Sequence, residues 1–271
     1  MNLRNKLAYP LQLVALSTYI IYGYYNAKLL RLGLSQWAIS VGSGFFATYL
    51  VNRFIPKRKM SYMSTLIAST ALFLLLTSLE WYGYAIASVT MILGKLLVTN
   101  EKKHHIFNPA GFALLICICL FPNTLILNSK QFIDSYWLLG IIMGLGAVIV
   151  ILSDRYIISL SYIAGFALAS YLRTFISPEA FVFFFYPFLN PMNLIFIFHM
   201  ISDPATTPNS KREQMLLGIA IAMIDHLLRH FWVFYSPLIA LLLVRSTYYL
   251  IFGSFTAKGP NEISSEAAHK V

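Results

Sequence analysis

Ten apolar runs of about twenty residues, separated by short polar turns, fill almost the whole of this 271-residue chain, and that rhythm limits its fold more than any other feature. The runs cover approximately 8–26, 33–54, 61–79, 82–99, 106–122, 136–153, 156–174, 180–201, 213–231 and 234–254. A helix rises about 1.5 Å per residue, so each run is close to the length that covers the hydrocarbon of a bilayer. Only 11% of the residues are charged and 58% are hydrophobic, whereas a soluble domain carries about a quarter charged residues. This balance is incompatible with a water-soluble globule. No polar stretch is long enough to fold alone, so the expectation is one polytopic membrane domain over 1–255 with a polar tail over 256–271.

Charge on alternate turns tests this count, because Lys and Arg are retained on the cytoplasmic side. With the N-terminus inside, thirteen basic residues fall on that side: Arg4, Lys6, Arg53, Lys57, Arg58, Lys59, Lys102, Lys103, Arg155, Lys211, Arg212, Lys258 and Lys270. Five fall on the other, Lys28, Arg31, Lys130, Arg173 and Arg229, and Lys95 and Arg245 lie within runs. The asymmetry predicts an even number of spans and both termini in the cytoplasm. The formal net charge of +10 is therefore a signature of topology, and nucleic acid is not an expected partner. The basic start, Met1 to Lys6, is followed by no small-residue cleavage site and is read as the lead into the first span. Cys117 and Cys119 are two positions apart in one run, point to different sides of a helix and are expected to be unpaired thiols.

Some runs are interrupted. The eighth opens Phe183-Phe184-Phe185-Tyr186-Pro187-Phe188-Leu189-Asn190-Pro191-Met192-Asn193, and each proline there frees a backbone carbonyl that lipid cannot satisfy. Such a break must be buried in protein or line a cavity. The fifth run opens with a related element, Phe107-Asn108-Pro109-Ala110. Two Asn-Pro elements, one per half, hint at an internal duplication with a site between the repeats. The plainer alternative is that each Asn caps a helix whose first turn holds the proline.

Phe107-Asn108-Pro109-Ala110, followed much later by Ile201-Ser202-Asp203-Pro204-Ala205-Thr206-Thr207-Pro208, resembles two signatures of one family. Its members are the D subunit of Rnf electron-transport complexes and the B subunit of the sodium-pumping NADH:quinone reductase. Short relatives described as enediyne-biosynthesis membrane proteins share the Asp-Pro-x-Thr-Thr-Pro form. Arg229 falls near an arginine common in that family. The resemblance implies an all-α membrane protein with roughly ten transmembrane helices in two pseudo-symmetric halves, similar in plan to urea transporters. It also implies flavin in an electron path, other redox-complex subunits as partners, and the bacterial inner membrane as location. The family's best-known subunits attach FMN to the threonine of a Ser-Gly-Ala-Thr element, and no such element follows Phe121-Pro122 here, so any FMN or riboflavin is expected to be non-covalent.

The residues that this reading gathers for a cofactor or solute are Asn108, Pro109, Asn190, Asn193, Asp203, Thr206, Thr207, His104, His105 and Arg229. Asp203 and the threonines can turn the chain back on its own amides, either as a helix terminator or as a cradle for phosphate, flavin or a cation. His104 and His105 follow Lys102 and Lys103, where anchoring to acidic phospholipid of the bilayer and binding of a nucleotide phosphate are both open. His226 and His230 share a helix face with Asp225 and Arg229. Haem would need histidines on different helices at one depth, and His199 and His230 are expected at opposite ends. Asp225, Lys95 and Arg245 are ionisable groups inside apolar runs and hence functional candidates, with Lys95 and Arg245 long enough to snorkel outwards and Asp225 able to pair with Arg229 or Arg245. No nucleophile motif, phosphate loop, metal spacing or carboxylate pair is present. Three functions follow as expectations: flavin-linked electron transport, passage of a small solute between the repeats, and a scaffold subunit with no site of its own.

Overall fold

The computed structural model describes residues 3–26, 33–78, 80–99, 105–127, 136–233 and 235–252. His104, Lys102, Lys103 and the tail over 256–271 lie outside the described residues. The fold is all-α in character, 78% helical. Each of the ten apolar runs contains helix: α1 (Leu3–Asn26), α2 (Leu34–Phe54), α3 (Tyr62–Leu75), α4 (Trp81–Leu97), α5 (Pro109–Leu120), α6 (Tyr136–Leu152), α7 (Tyr156–Arg173), α8 with α9 (Phe181–Phe185, Pro191–Ile195), α10 (Lys211–His230) and α11 (Ser236–Phe252). Short polar residues start several of them. Ser61 Oγ accepts the Ser64 N–H at 3.4 Å, Asn108 Oδ1 that of Gly111 at 3.0 Å, and Asn190 Oδ1 that of Met192 at 3.0 Å. Pro109 and Pro191 follow at the first helical position, where no N–H is required. Both Asn-Pro elements are thus helix caps.

The eighth run is not one rod. A 3₁₀ turn, Tyr186–Leu189, joins α8 to α9, and Pro191–Met200 leaves Phe181–Leu189 at 64°. Its last turn, Phe196–Met200, is a π turn in which the Ile201 N–H reaches back to the Phe196 carbonyl at 3.0 Å. Among the described residues, Tyr156–Arg173 is the one helix long and apolar enough to cross a bilayer alone, and the bent pair makes a second if taken as one span. Six other apolar helices have 10–17 residues.

The packing is organised by neighbours. Helix α2 lies against α3 and α4, α4 against α5, and α1 against α3; α7 lies against α8 and α10, α10 against α11, and α6 against α9. The two groups meet where α1 touches α6 and α5 touches α11. Helices α7 and α10 approach closely through glycine: a Cβ on Gly218 would come within 2.5 Å of the Ile158 carbonyl oxygen, and one on Gly165 within 3.0 Å of Ala222 Cβ. The seventy-sixth to seventy-eighth residues depart from the expected helix. Leu76–Ser78 form a strand, β1, antiparallel to β2 (Leu125–Leu127), with Thr77 opposite Ile126.

Several turns touch one another: Arg58 donates to the Leu96 carbonyl at 3.1 Å and Thr99 Oγ1 at 2.8 Å, and Lys211 pairs with Asp154 at 2.6 Å. The β1–β2 pair joins the turns after α3 and α5.

Candidate functional site

Asn108 and Asp203, ninety-five positions apart, meet directly: Asn108 Nδ2 donates to Asp203 Oδ2 at 3.1 Å. The Asn108 side chain therefore caps α5 with its oxygen and holds the Asp203 carboxylate with its nitrogen. Asp203 in turn shapes its own turn. Its Oδ1 accepts the Ala205 N–H at 3.0 Å, and its carbonyl accepts the Thr207 N–H at 2.9 Å. Loss of water around the half-buried carboxyl raises its pKa, against the opposing pull of the Ala205 amide, Arg245, Lys95 and Asn108.

Arg245 of α11 is the main support of this turn. Only 1% exposed, it donates to the Thr206 carbonyl, to the Ile201 carbonyl at 3.4 Å and to Thr207 Oγ1 at 3.1 Å. Thr207 Oγ1 donates to the Ile201 carbonyl at 2.7 Å. Thr206 and Thr207 are thus absorbed in a buried guanidinium-centred clasp, and Arg245 does not snorkel. Its selection from sequence was possible only as a charge inside an apolar run; nothing in its neighbours specified the partner.

Lys95 is also turned inwards. It is 5% exposed and donates to the Ser64 carbonyl and Ser64 Oγ, both at 3.1 Å. Its neighbour Gly94 makes the approach of α5 feasible, since a Cβ there would lie 2.9 Å from Phe112 Cδ1. Lys95, Ser64, Gln12, His105, Asn108, Asp203 and His199 line one cavity of about 70 Å³, closed on its apolar side by Ile67, Ala68 and Met200. The volume admits a handful of water-sized groups. The π turn of the eighth run carries His199 to this wall. Its Nε2 lies 3.4 Å from the Tyr19 hydroxyl, while its Nδ1 has no hydrogen-bond partner among the described residues.

A second polar cluster sits elsewhere. Asp225, fully enclosed, accepts from Tyr162 at 2.7 Å, Ser236 at 2.5 Å and Arg229 at 3.0 and 3.2 Å. Tyr162 Oη also lies 3.5 Å from Asn193 Oδ1. Tyrosine has one proton, and the shorter Asp225 contact claims it. The Asn193 amide is better turned over, with Nδ2 donating to Tyr162 Oη, which also gives its otherwise unmatched nitrogen a partner. His226 Nε2 is 3.0 Å from Ser170 Oγ. Gln214, which donates to the Pro208 carbonyl at the end of the Asp203 turn at 3.0 Å, lies eleven residues from Asp225 on α10, a rise of about 16 Å, so the two clusters are set apart along that helix.

The gathered residues therefore divide. Asn108, Pro109, His105 and Asp203 line the Lys95 cavity, and Thr206 and Thr207 stand behind it. Asn193 and Arg229 belong to the Asp225 cluster, because Asn193 begins the other end of α9 and Arg229 sits in the last turn of α10. Asn190 only caps α9. Of the two partners open to Asp225, Arg229 is the one taken. The described residues hold no group of three or more metal ligands. A flavin does not fit the Lys95 cavity as it stands, since pockets for ligands of that size run from about 300 Å³ upwards. Neither a protein-family model nor a curated protein matches the chain.

Proposed function

We propose that the chain is a ten-span membrane protein of two inverted five-run halves, with both termini cytoplasmic, that passes a small polar solute between those halves. The observation that carries the reading is the Lys95 cavity. Lys95, Ser64 and Asn108 come from α3 to α5, Asp203 and His199 from the eighth run and its following turn, and opposite charges from the two groups of helices line one cavity. Buried charge of this kind is costly and marks pathways in membrane proteins.

Three features support the architecture. The neighbour pattern α2–α4, α2–α3, α4–α5 and α1–α3 recurs as α7–α10, α7–α8, α10–α11 and α6–α9. An odd number of runs per half makes the second half inverted. Turns assigned by charge to one side touch turns of that same side, as in Lys211–Asp154, Arg58–Thr99 and β1–β2. Large apolar side chains stand exposed along the helices, including Phe46, Leu93, Leu120, Leu168, Leu216 and Leu250, as side chains that face lipid would. On this correspondence α5 matches α11, so the partner of Asn108-Pro109 is Ser236-Pro237 and not Asn190-Pro191.

The test is solute uptake by proteoliposomes. Saturable flux of a small polar solute, reduced at least tenfold in Lys95→Met, is the expected outcome; flux indistinguishable from empty liposomes across ions, amides and amino acids would sink the reading. A second reading is non-covalent flavin-linked electron transport. The direct Asn108–Asp203 hydrogen bond favours it, because it joins the two elements on which the redox-family resemblance rests. It requires the cavity to widen, and it predicts an absorbance band near about 450 nm that dithionite bleaches in the purified protein. Colourless protein after flavin addition would count against it.

A further inference from the structure

Lys95 and Asp203 line one cavity without touching. Among the described residues the ion pairs within 4.0 Å are Lys211–Asp154 and Arg229–Asp225, so the ammonium and the carboxylate stand further apart than a direct pair, with the cavity at hand for a third group between them. Opposite charges lining one small cavity attract each other. Here each is held back by other bonds: Lys95 by the Ser64 carbonyl and hydroxyl, Asp203 by the Ala205 amide and Asn108.

The hydrogen-bond count leaves capacity on both sides. An ammonium has three N–H donors and Ser64 takes two, leaving one. The Asp203 carboxylate has about four acceptor sites and two are used. His199, 3% exposed, adds an unmatched Nδ1 on the same wall. Its role is tied to Tyr19: if the Tyr19 hydroxyl donates to Nε2, Nδ1 carries the proton and donates; if Nε2 donates to Tyr19, Nδ1 accepts.

From this geometry we propose that the cavity binds a small dipolar molecule, with an amine or amide donor towards Asp203 and a carboxylate or carbonyl acceptor towards Lys95. Resting on the transport reading, the inference names the class of solute. A lone cation would face Lys95 and a lone anion Asp203, and each would meet like charge in a site of low dielectric. A dipolar molecule meets the opposite charge at both ends. The volume of about 70 Å³ restricts it to a few heavy atoms, and the bonds to Ser64 and Asn108 fix the spacing of its two ends.

The experiment uses full-length protein in detergent, with glycine as the zwitterionic probe and acetamide as the neutral one, read by saturation-transfer NMR and by the shift in melting temperature. Saturable binding of at least one probe, unaffected by sodium chloride and weakened tenfold or more in Lys95→Gln, is expected. Glycine binding lost in Asp203→Asn with acetamide binding kept would place the ammonium end at Asp203; in the wild type, preference for glycine would identify the zwitterion and preference for acetamide the neutral amide. Because Asp203 also shapes its turn, Lys95→Gln is the deciding variant, and its helical circular dichroism must equal that of the wild type. Binding of neither probe to folded protein, or equal binding to Lys95→Gln, overturns the inference. Binding without flux in liposomes would instead overturn the transport reading alone, and flux of a simple ion without probe binding would overturn this inference alone.

Discussion

Asn108 and Asn190 look alike in sequence and make the same local bond, yet they differ in what else they hold. Each accepts an N–H in the first turn of its helix. Asn108 alone reaches across the chain to a carboxylate. Replacing a cap by Ala costs about 0.5–2 kcal/mol, and leaving a charged acceptor unmet adds about 1–3 kcal/mol. Asn108→Ala is therefore expected to destabilise the protein by more than Asn190→Ala, measured by thermal unfolding in detergent, and equal losses would show that the Asp203 contact contributes nothing. Asp203 itself sets a pH dependence. Its carboxyl is raised in the folded state, so its favourable contribution is full below the ordinary carboxylate pKa and is lost as pH rises through the raised value. The stability of wild type relative to Asp203→Asn should fall as pH rises above the ordinary carboxylate pKa of about 4. A difference that grows with pH would mean that Lys95 and Arg245 outweigh the loss of water.

At the scale of the helices, the apolar runs located the long helices because length and punctuation by Pro, Asn and basic residues survive without knowledge of packing. The seventh run, 156–174, became Tyr156–Arg173. The end of the third did not remain helical: Leu76 and Leu125 are apolar on either reading, and no periodicity separates a buried strand of three residues from a helix end. The site was legible in its parts and not in its grouping. Lys95 and Arg245 stood out as charges in apolar runs, but whether such long side chains snorkel or turn inwards depends on acceptors that other helices bring, Ser64 for one and the Ile201 and Thr206 carbonyls for the other. The close contact of α7 with α10 was equally hidden, since glycine in a helix reads only as a weak position. It yields a direct test. Gly218→Ala places a Cβ against the Ile158 carbonyl and Ser161 and is expected to cost about 1–3 kcal/mol, whereas Gly144→Ala enters open space and should be neutral or stabilising by up to about 1 kcal/mol. Chemical denaturation in mixed micelles distinguishes them, and a harmless Gly218→Ala would mean that α7 and α10 are not held at this distance.

For the whole molecule, the inverted arrangement is what would let one site serve both sides. The cavity beside the Asp203 turn joins Lys95 of the first five runs to Asp203 and His199 of the last five, whereas the Asp225 cluster, about 16 Å from Gln214 along α10, is built from the last five runs alone. Their common element is the eighth run, which carries Asn193 to one cluster and His199 to the cavity of the other. This arrangement works for transport only if the two ends face different compartments, and topology is accordingly the measurement on which the architecture stands. Lys59, Ser210, Asn123 and Glu179 are exposed, and single cysteines at these positions, in a chain with Cys117 and Cys119 replaced by Ala, can be labelled with a membrane-impermeant maleimide. Asn123→Cys and Glu179→Cys are expected to react in intact spheroplasts, and Lys59→Cys and Ser210→Cys only after permeabilisation, because Lys and Arg are retained inside. Labelling of Lys59 and Glu179 positions from the same side would break the alternation between α2 and α8 and, with it, the two inverted halves.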